Sequence, residues 1–281
     1  AALALLTLIW GLSVPVTKLG LRAMSPLMLV ALRYLSAAPF FVLLLRRLPR
    51  PAPRALAQMA ALGVLGIGGG QVLQALGVQD TSASVATIIS AQIPILTALL
   101  GSVRLRQPVR APHIAGFLLA LTGVVVAASE GTMAGTPDGL LGDGLMLLSG
   151  LCIACYYVFS TELAAREGVM AVAGWSSLAG AALMAPIAIV QAMAMPRLPS
   201  AASLAAVLYL GLLTTVLGLW IWLRAMRSLP VRIAAGSQYV QPLVGIIASA
   251  LIFGDRLGPR FVLGSALVLG GIALSSLPGR R

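Results

Sequence analysis

Of 281 residues, 59% are apolar and only 9% carry a charged side chain, where a soluble domain has about a quarter charged. Water does not solvate a surface so poor in charge, so a soluble globular protein is excluded and the solvent must be lipid. The net charge of +12 would suit a nucleic-acid partner, but the basic residues sit in short segments at the ends of apolar runs. They are read as membrane-topology charge, and no nucleic-acid partner is expected.

Apolar runs punctuated by Pro, Gly and charge predict spans at 2–20, 26–45, 56–76, 82–103, 111–128, 140–161, 171–194, 203–223, 233–253 and 259–277. Lipid offers no partner to an open strand edge, so every span is predicted as a helix. With about 20 residues to a span, what remains suffices only for short connections. The expected fold class is an all-α membrane protein with ten transmembrane helices. The first residue already lies in an apolar run without an initiator Met, so a short natural N-terminus is expected ahead of it. Residues 1–17 lack the basic start and the small-x-small cleavage site of a signal peptide, and are read as the first span.

With the N-terminus inside, thirteen Lys and Arg fall on inner segments and five on outer ones, with Arg33 inside a span. This predicts cytoplasmic termini at both ends and an outer loop at about 129–139. The chain also repeats. A gapless shift of 148 residues lays Leu62-Gly63 on Leu210-Gly211, Ala86 on Ala234, Pro94 on Pro242, Gly116 on Gly264 and Gly123 on Gly271. Two units follow, 1–135 and 136–281, each of five spans. An odd number of spans makes the second unit enter from the opposite face, so the repeats are predicted as inverted. Inverted repeats around a midplane site are a recurring transporter architecture.

In chain order, Trp10, Ser13 and Thr17 share one side of the first span, and Pro15 frees the carbonyl of Gly11. Arg33 lies about 10 Å from its helix end, where either snorkelling outward or a place in a cavity is open to it. Gly66 and Gly70 are spaced for close helix packing rather than for a phosphate loop. Gln71 and Gln74 face one way on the third span, and Thr87, Ser90 and Thr97 on the fourth. Cys152 and Cys155 form a lone C-x-x-C with one His in the whole chain, His113, so no metal and no cofactor is expected. Ser149, Tyr156 and Ser160 line the sixth span, and Ser237, Gln238 and Gln241 the ninth. Pro94 and Pro242 are predicted mid-helix hinges with Pro15; each frees the carbonyl four residues before it, those of Ser90 and Gln238. Five polar faces on five spans predict one aqueous cavity, lined by Trp10, Ser13, Arg33, Gln71, Gln74, Ser90, Tyr156, Gln238 and Gln241.

These motifs resemble the drug/metabolite transporter superfamily, in its ten-helix EamA-type branch of bacterial exporters. The first span opens Trp10-Gly11 with Lys18 seven residues on, and the second carries Arg33-Tyr34 before small residues. Tyr239-Val240-Gln241-Pro242 runs on to Ile252-Phe253-Gly254-Asp255-Arg256-Leu257, similar to the family's Y-x-Q-P and L-G-E-R-L, with Asp255 where a Glu is usual. In the first half the same place reads Leu105-Arg106-Gln107-Pro108, without an acid. The resemblance implies a multi-pass inner-membrane exporter of small metabolites, most similar to exporters of aromatic and other amino acids. Its partners would be a small-molecule substrate and the lipid bilayer, and it is expected as a monomer.

No span holds a His or a clearly buried acid, so obligatory proton exchange is not expected and movement runs down the substrate's own gradient. Glu162 would be the exception if its span ended one turn later. A proton-coupled antiporter is the alternative, and a membrane-embedded enzyme or scaffold a second; an enzyme would need a convergent nucleophile-and-base or metal set that the sequence does not offer.

Overall fold

The computed structural model describes residues 2–104, 111–130, 136–194, 200–228, 240–255 and 257–275. Among them every regular element is helical. Seven helices are long and apolar enough to cross a membrane: α1 (Ala2–Gly20), α2 (Pro26–Leu45), α3 (Pro53–Asp80), α4 (Ala83–Arg104), α6 (Pro137–Glu167), α7 (Val169–Met193) and α8 (Ala201–Trp222). Three shorter apolar helices are α5 (Ile114–Ala128), α9 (Gln241–Phe253) and α10 (Pro259–Leu274). Of the expected span 233–253, the part from 233 to 239 lies outside the described residues.

Helix starts are written locally. Ser25 accepts a hydrogen bond from the Met28 N–H at 3.2 Å with Pro26 first in α2. Thr136 does the same for Gly139 at 3.1 Å ahead of Pro137, and Ser82 and Ser200 cap α4 and α8. A side-chain acceptor at this position satisfies an N–H the helix leaves orphaned, and Pro in the first turn has no N–H to orphan. The Thr136 cap starts α6 three residues before the expected 140. Gly168, with φ +86°, ends it only after Glu167, not at 161.

Helices approach closely where glycine replaces side chain. A Cβ on Gly123 of α5 would stand 2.5 Å from the Gly264 carbonyl oxygen of α10, and one on Gly264 would stand 2.5 Å from the Gly123 oxygen. At the other end, a Cβ on Gly271 would meet the Gly116 oxygen at 2.4 Å. The two helices therefore run antiparallel with backbones touching. Gly66 and Gly70 accept the Tyr156 ring and Ile153 of α6, as small residues four apart allow. Gly63 of α3 lies against the Ser176 carbonyl of α7, and Gly211 of α8 against the Arg33 carbonyl of α2. One apolar core joins α4, α5 and α10 around Ile88, Val124 and Val268; another joins α2, α7 and α8 around Leu29, Met184 and Leu210.

Four helices are irregular. α1 breaks at Leu12 between Ala2–Gly11 and Ser13–Gly20, and α4 at Ala91-Gln92 between Ala83–Ser90 and Ile93–Arg104. α3 widens to a π-helix over Val64–Gln71, and α8 over Tyr209–Leu217. Pro94 lies midway along α4, just after its break at Ala91-Gln92, and Pro242 opens the described part of the expected span 233–253. Each is the second residue of a helical segment, after Ile93 and Gln241. The physical reason is that Pro needs no donor there and its fixed φ suits a first turn. α2 and α7 carry Pro39 and Pro186 within them.

Charges close the helix ends. The Lys18 ammonium donates to the carbonyls of Val78 at 2.7 Å, Gln79 at 3.0 Å and Thr81 at 2.5 Å, so the end of α1 caps the C-terminus of α3. Gly254, left-handed at φ +69°, turns the chain out of α9 so that Asp255 accepts from the Ser84 N–H at 2.9 Å, at the start of α4. The shorter acid thus finds a backbone partner. Glu130 accepts from the Phe261 N–H at 2.7 Å at the start of α10, and Thr81 donates to Asp143 at 2.6 Å. Cations at helix C-termini and anions at N-termini oppose the macrodipole.

Two outcomes follow for stability in detergent. Gly123→Val drives a branched side chain into a backbone carbonyl and lowers stability by about 1–3 kcal/mol or more, read as a fall in the thermal unfolding midpoint. Gly144→Ala, with nothing within 4 Å of its Cβ, leaves that midpoint unchanged or raised. Lys18→Met strips three carbonyls of their donor and costs about 1–3 kcal/mol; Lys18→Arg restores most of it. A Met variant as stable as the parent would mean the ammonium holds nothing.

Candidate functional site

Of the nine residues expected to line a cavity, the structure brings three together. Arg33, Gln71 and Gln74, with Thr17, Leu29, Val30, Ala75 and Leu210, surround one small cavity. Its volume is about 10 Å³, space for about one water. The contributors are α1, α2, α3 and α8.

Arg33 is its centre and does not snorkel. Its Nη1 donates to Gln71 Oε1 at 2.7 Å and its Nε donates to Thr215 Oγ1 at 3.1 Å. Gln71 is the last residue of the π segment in α3, and Thr215 lies in the π segment of α8. The Thr215 hydroxyl spends its own proton on the Leu210 carbonyl, five residues back, at 2.8 Å, so only its lone pairs face the guanidinium. The Arg33 carbonyl accepts from Ser36 at 2.8 Å and lies against Gly211, where a Cβ would stand 2.7 Å from it. Backbone and side chain are both fixed.

The other expected residues are placed elsewhere. The Trp10 indole N–H donates to the Thr214 carbonyl at 3.0 Å, tight against Gly218, and its ring meets Trp222 at 5.7 Å. The Ser13 hydroxyl donates to the Trp10 carbonyl at 2.6 Å and Ser90 to Ala86 at 2.9 Å. Thr87 and Thr97 likewise bond back into their own helices. Tyr156 packs on Gly66 with an apolar group around Met59 and Leu163. The Gln241 carbonyl faces Gly11, a Cβ on which would lie 2.9 Å away. Ser149 donates to the Gly70 carbonyl at 2.7 Å. Gln238, Ser237 and Arg256 lie outside the described residues, as does the His113 side chain. Of the hinges, Pro15 follows the break at Leu12, while Pro94 and Pro242 begin segments.

Sequence reading missed the two π segments, for which no residue pattern announces itself, and Thr215 with them. It also missed a wider cavity of about 230 Å³ near the helix ends, lined by Lys18, Leu21, Arg22, Gln79 and Phe253, where Arg22 stands 5.1 Å over the Phe253 ring. Among the described residues, no three of His, Cys, Asp and Glu are grouped to hold a metal, and both cysteines are free. The one ion pair among them joins Arg104 and Glu162 at 3.0 Å. Arg104 is the last residue of α4, and Glu162 lies within α6, because that helix runs past the expected 161 to Glu167.

The family model of the EamA-like transporter family matches residues 1–129 and 140–277. Among similar proteins, the uncharacterized inner membrane transporter YedA of Escherichia coli (strain K12) is 27% identical, over 98% of this chain and 90% of its own. A probable terminal-alkyne amino-acid exporter of Streptantibioticus cattleyicolor is 28% identical over 100% and 97%. An uncharacterized transporter of Archaeoglobus fulgidus is 26% identical over 98% and 96%. A solved structure shares the fold at a TM-score of 0.69 and 22% identity, covering 98% of this chain and 95% of that one. A likeness that runs the length of the chain, on a scaffold of apolar helices long enough to span lipid, makes this a multi-pass membrane protein, and the chain belongs to the EamA-like transporter family.

Proposed function

We propose that the protein exports small metabolites, amino acids foremost, by alternating access, with two inverted five-helix repeats rocking about the cavity at Arg33, Gln71 and Gln74. The observation that carries this reading is the reciprocal glycine contact of α5 and α10. Gly116 meets Gly271 and Gly123 meets Gly264. A 148-residue shift turns the first pair into the second. Contacts that map onto themselves in this way are those of a two-fold axis. Because the two helices are antiparallel, that axis crosses them and lies in the membrane plane, as inverted repeats require.

Other pairs support the same relation. The π segments begin at or near Gly63 and Gly211, which correspond under the shift. Helical segments restart at Ile93-Pro94 and at Gln241-Pro242, which also correspond. A cavity of about 10 Å³ holds no metabolite, so loading one requires α1, α2, α3 and α8 to part. The amino-acid class is supported by the exporter named among the relatives. Asp80, Glu130, Asp138, Glu167 and Asp255 stand at helix ends or in loops, and Asp143 and Glu162 lie in α6 toward its two ends rather than at its middle. This favours movement down the substrate's own gradient, without obligatory proton exchange.

In proteoliposomes, at least one of labelled L-leucine, L-phenylalanine and L-threonine should equilibrate across the membrane at a rate an imposed pH gradient leaves unchanged. Accumulation against the gradient, driven by pH and abolished by an uncoupler, would replace facilitated movement with proton antiport. Absence of flux for the whole panel would remove the amino-acid assignment. The thirteen-to-five distribution of Lys and Arg supports cytoplasmic termini at both ends. With Cys152 and Cys155 replaced by Ala, a membrane-impermeant thiol reagent should label Thr136→Cys in intact cells. Labelling only after permeabilisation reverses the orientation.

A further inference from the structure

We infer that Arg33 is the anchor for the carboxylate of the transported molecule. This rests on the transport reading above and names the chemistry that the site selects. Arg33 sits about 10 Å inside the start of α2 by the helical rise and faces a cavity shared with Thr17, Gln71 and Gln74. A guanidinium keeps its charge at every physiological pH and has five N–H donors. Two of its N–H groups are engaged, one on Gln71 and one on Thr215, and both partners are neutral. Among the described residues the only ion pair is that of Arg104 with Glu162. Arg33 is thus a held, permanent cation whose counter-charge the described protein does not supply.

An intramembrane charge is expensive and is retained where it meets a ligand or partner. A planar guanidinium matches a carboxylate with two parallel hydrogen bonds. Nε has spent its single N–H on Thr215 and Nη1 one of its two on Gln71, so the donors left over on Arg33 are one on Nη1 and two on Nη2, and a carboxylate is taken across Nη1 and Nη2. The holding oxygens are acceptors by construction, because Thr215 has already given its proton to Leu210. Neither competes with a carboxylate as a donor; both aim the fork. They come from the two π segments, and π-bulges recur at functional sites because they displace backbone from the regular ladder. One stands in α3 and the other in α8, in different halves of the chain. A ligand held by Arg33 therefore sits where the two halves meet, and its arrival bears on their relative motion. Toward the ends of α1, α3 and α9, Lys18 and Arg22 line the separate, wider cavity.

The test compares acid with amide on the full-length chain. Binding of L-leucine and L-leucinamide to the detergent-purified protein is measured by calorimetry, and their flux by proteoliposome counterflow. Parent, Arg33→Gln, Arg33→Lys and Gln71→Leu are compared in phosphatidylcholine vesicles. The parent should prefer the acid about tenfold or more. Arg33→Gln should abolish the preference, Arg33→Lys keep part of it, and Gln71→Leu weaken acid binding while leaving the charge. The parent's preference is read without any variant, so a variant that misfolds does not remove the test.

Equal handling of acid and amide by the parent overturns the anchor, as does an undiminished preference in a folded Arg33→Gln. So does the absence of any binding of either probe to the parent. Inorganic phosphate displacing leucine at equal concentration would assign Arg33 to oxyanions in general, and loss of the preference on adding phosphatidylglycerol would assign it to lipid phosphate; either overturns the carboxylate assignment. Acid-selective binding without flux would sink the transport reading and leave the anchor standing. Flux of both probes without preference would do the reverse.

Discussion

A backbone carbonyl that leaves its helical ladder inside lipid has no water to turn to, and the irregular stretches of α1, α3 and α8 are built around that constraint. Where α3 widens into a π-helix, Ser149 of α6 donates to the Gly70 carbonyl. Where α8 does the same, the Trp10 indole takes the Thr214 carbonyl and the Thr215 hydroxyl takes that of Leu210. Near the break in α1, the Tyr209 hydroxyl donates to the Ile9 carbonyl at 2.9 Å. The C-terminus of α3 receives the Lys18 ammonium.

The same constraint explains how the helices pack. Lipid is as apolar as leucine, so helices gain by van der Waals contact and close approach rather than by escape from solvent. At Gly123, Gly264 and Gly271 the approach is close enough that a single methyl would strike a carbonyl. Gly218 makes room in the same way for the indole of Trp10, and Gly211 for the backbone of Arg33. The polar and steric fits therefore meet at one place. The residues that hold Arg33 stand on helices whose separation glycine sets.

Much of this was legible in the sequence, and for physical reasons. Helix starts were legible at Ser25-Pro26 because cap and first turn are local chemistry; α6 began earlier than its apolar run because Thr136 and Pro137 outrank hydropathy at a helix end. Close packing at Gly66 and Gly70 was legible from their spacing. The polar faces say less than their number suggests, because a Ser or Thr in a helix can bond its own backbone, as Ser90 and Thr97 do. A break in α4 was legible at Pro94, and the helix is interrupted at Ala91-Gln92, just ahead of it. The bonds of Arg33 were out of reach. Thr215 lies 182 residues away, and a π-bulge depends on tertiary contacts that no local pattern encodes. Gln238 lies outside the described residues.

The seating of α1 has a consequence for how the chain is made. Lys18 finds its carbonyls 60 to 63 residues downstream, and Trp10 finds Thr214 204 residues downstream. During synthesis the first helix to reach the bilayer therefore waits. Its ammonium stays unpaired until α3 has been threaded, and its indole until α8 has. A ribosome stalled between those points holds a chain whose first helix is inserted but only half docked. A membrane-resident chaperone or protease meeting such a chain would find an undocked tryptophan in α1, and a helix made before α3 and α8 is locked only after them.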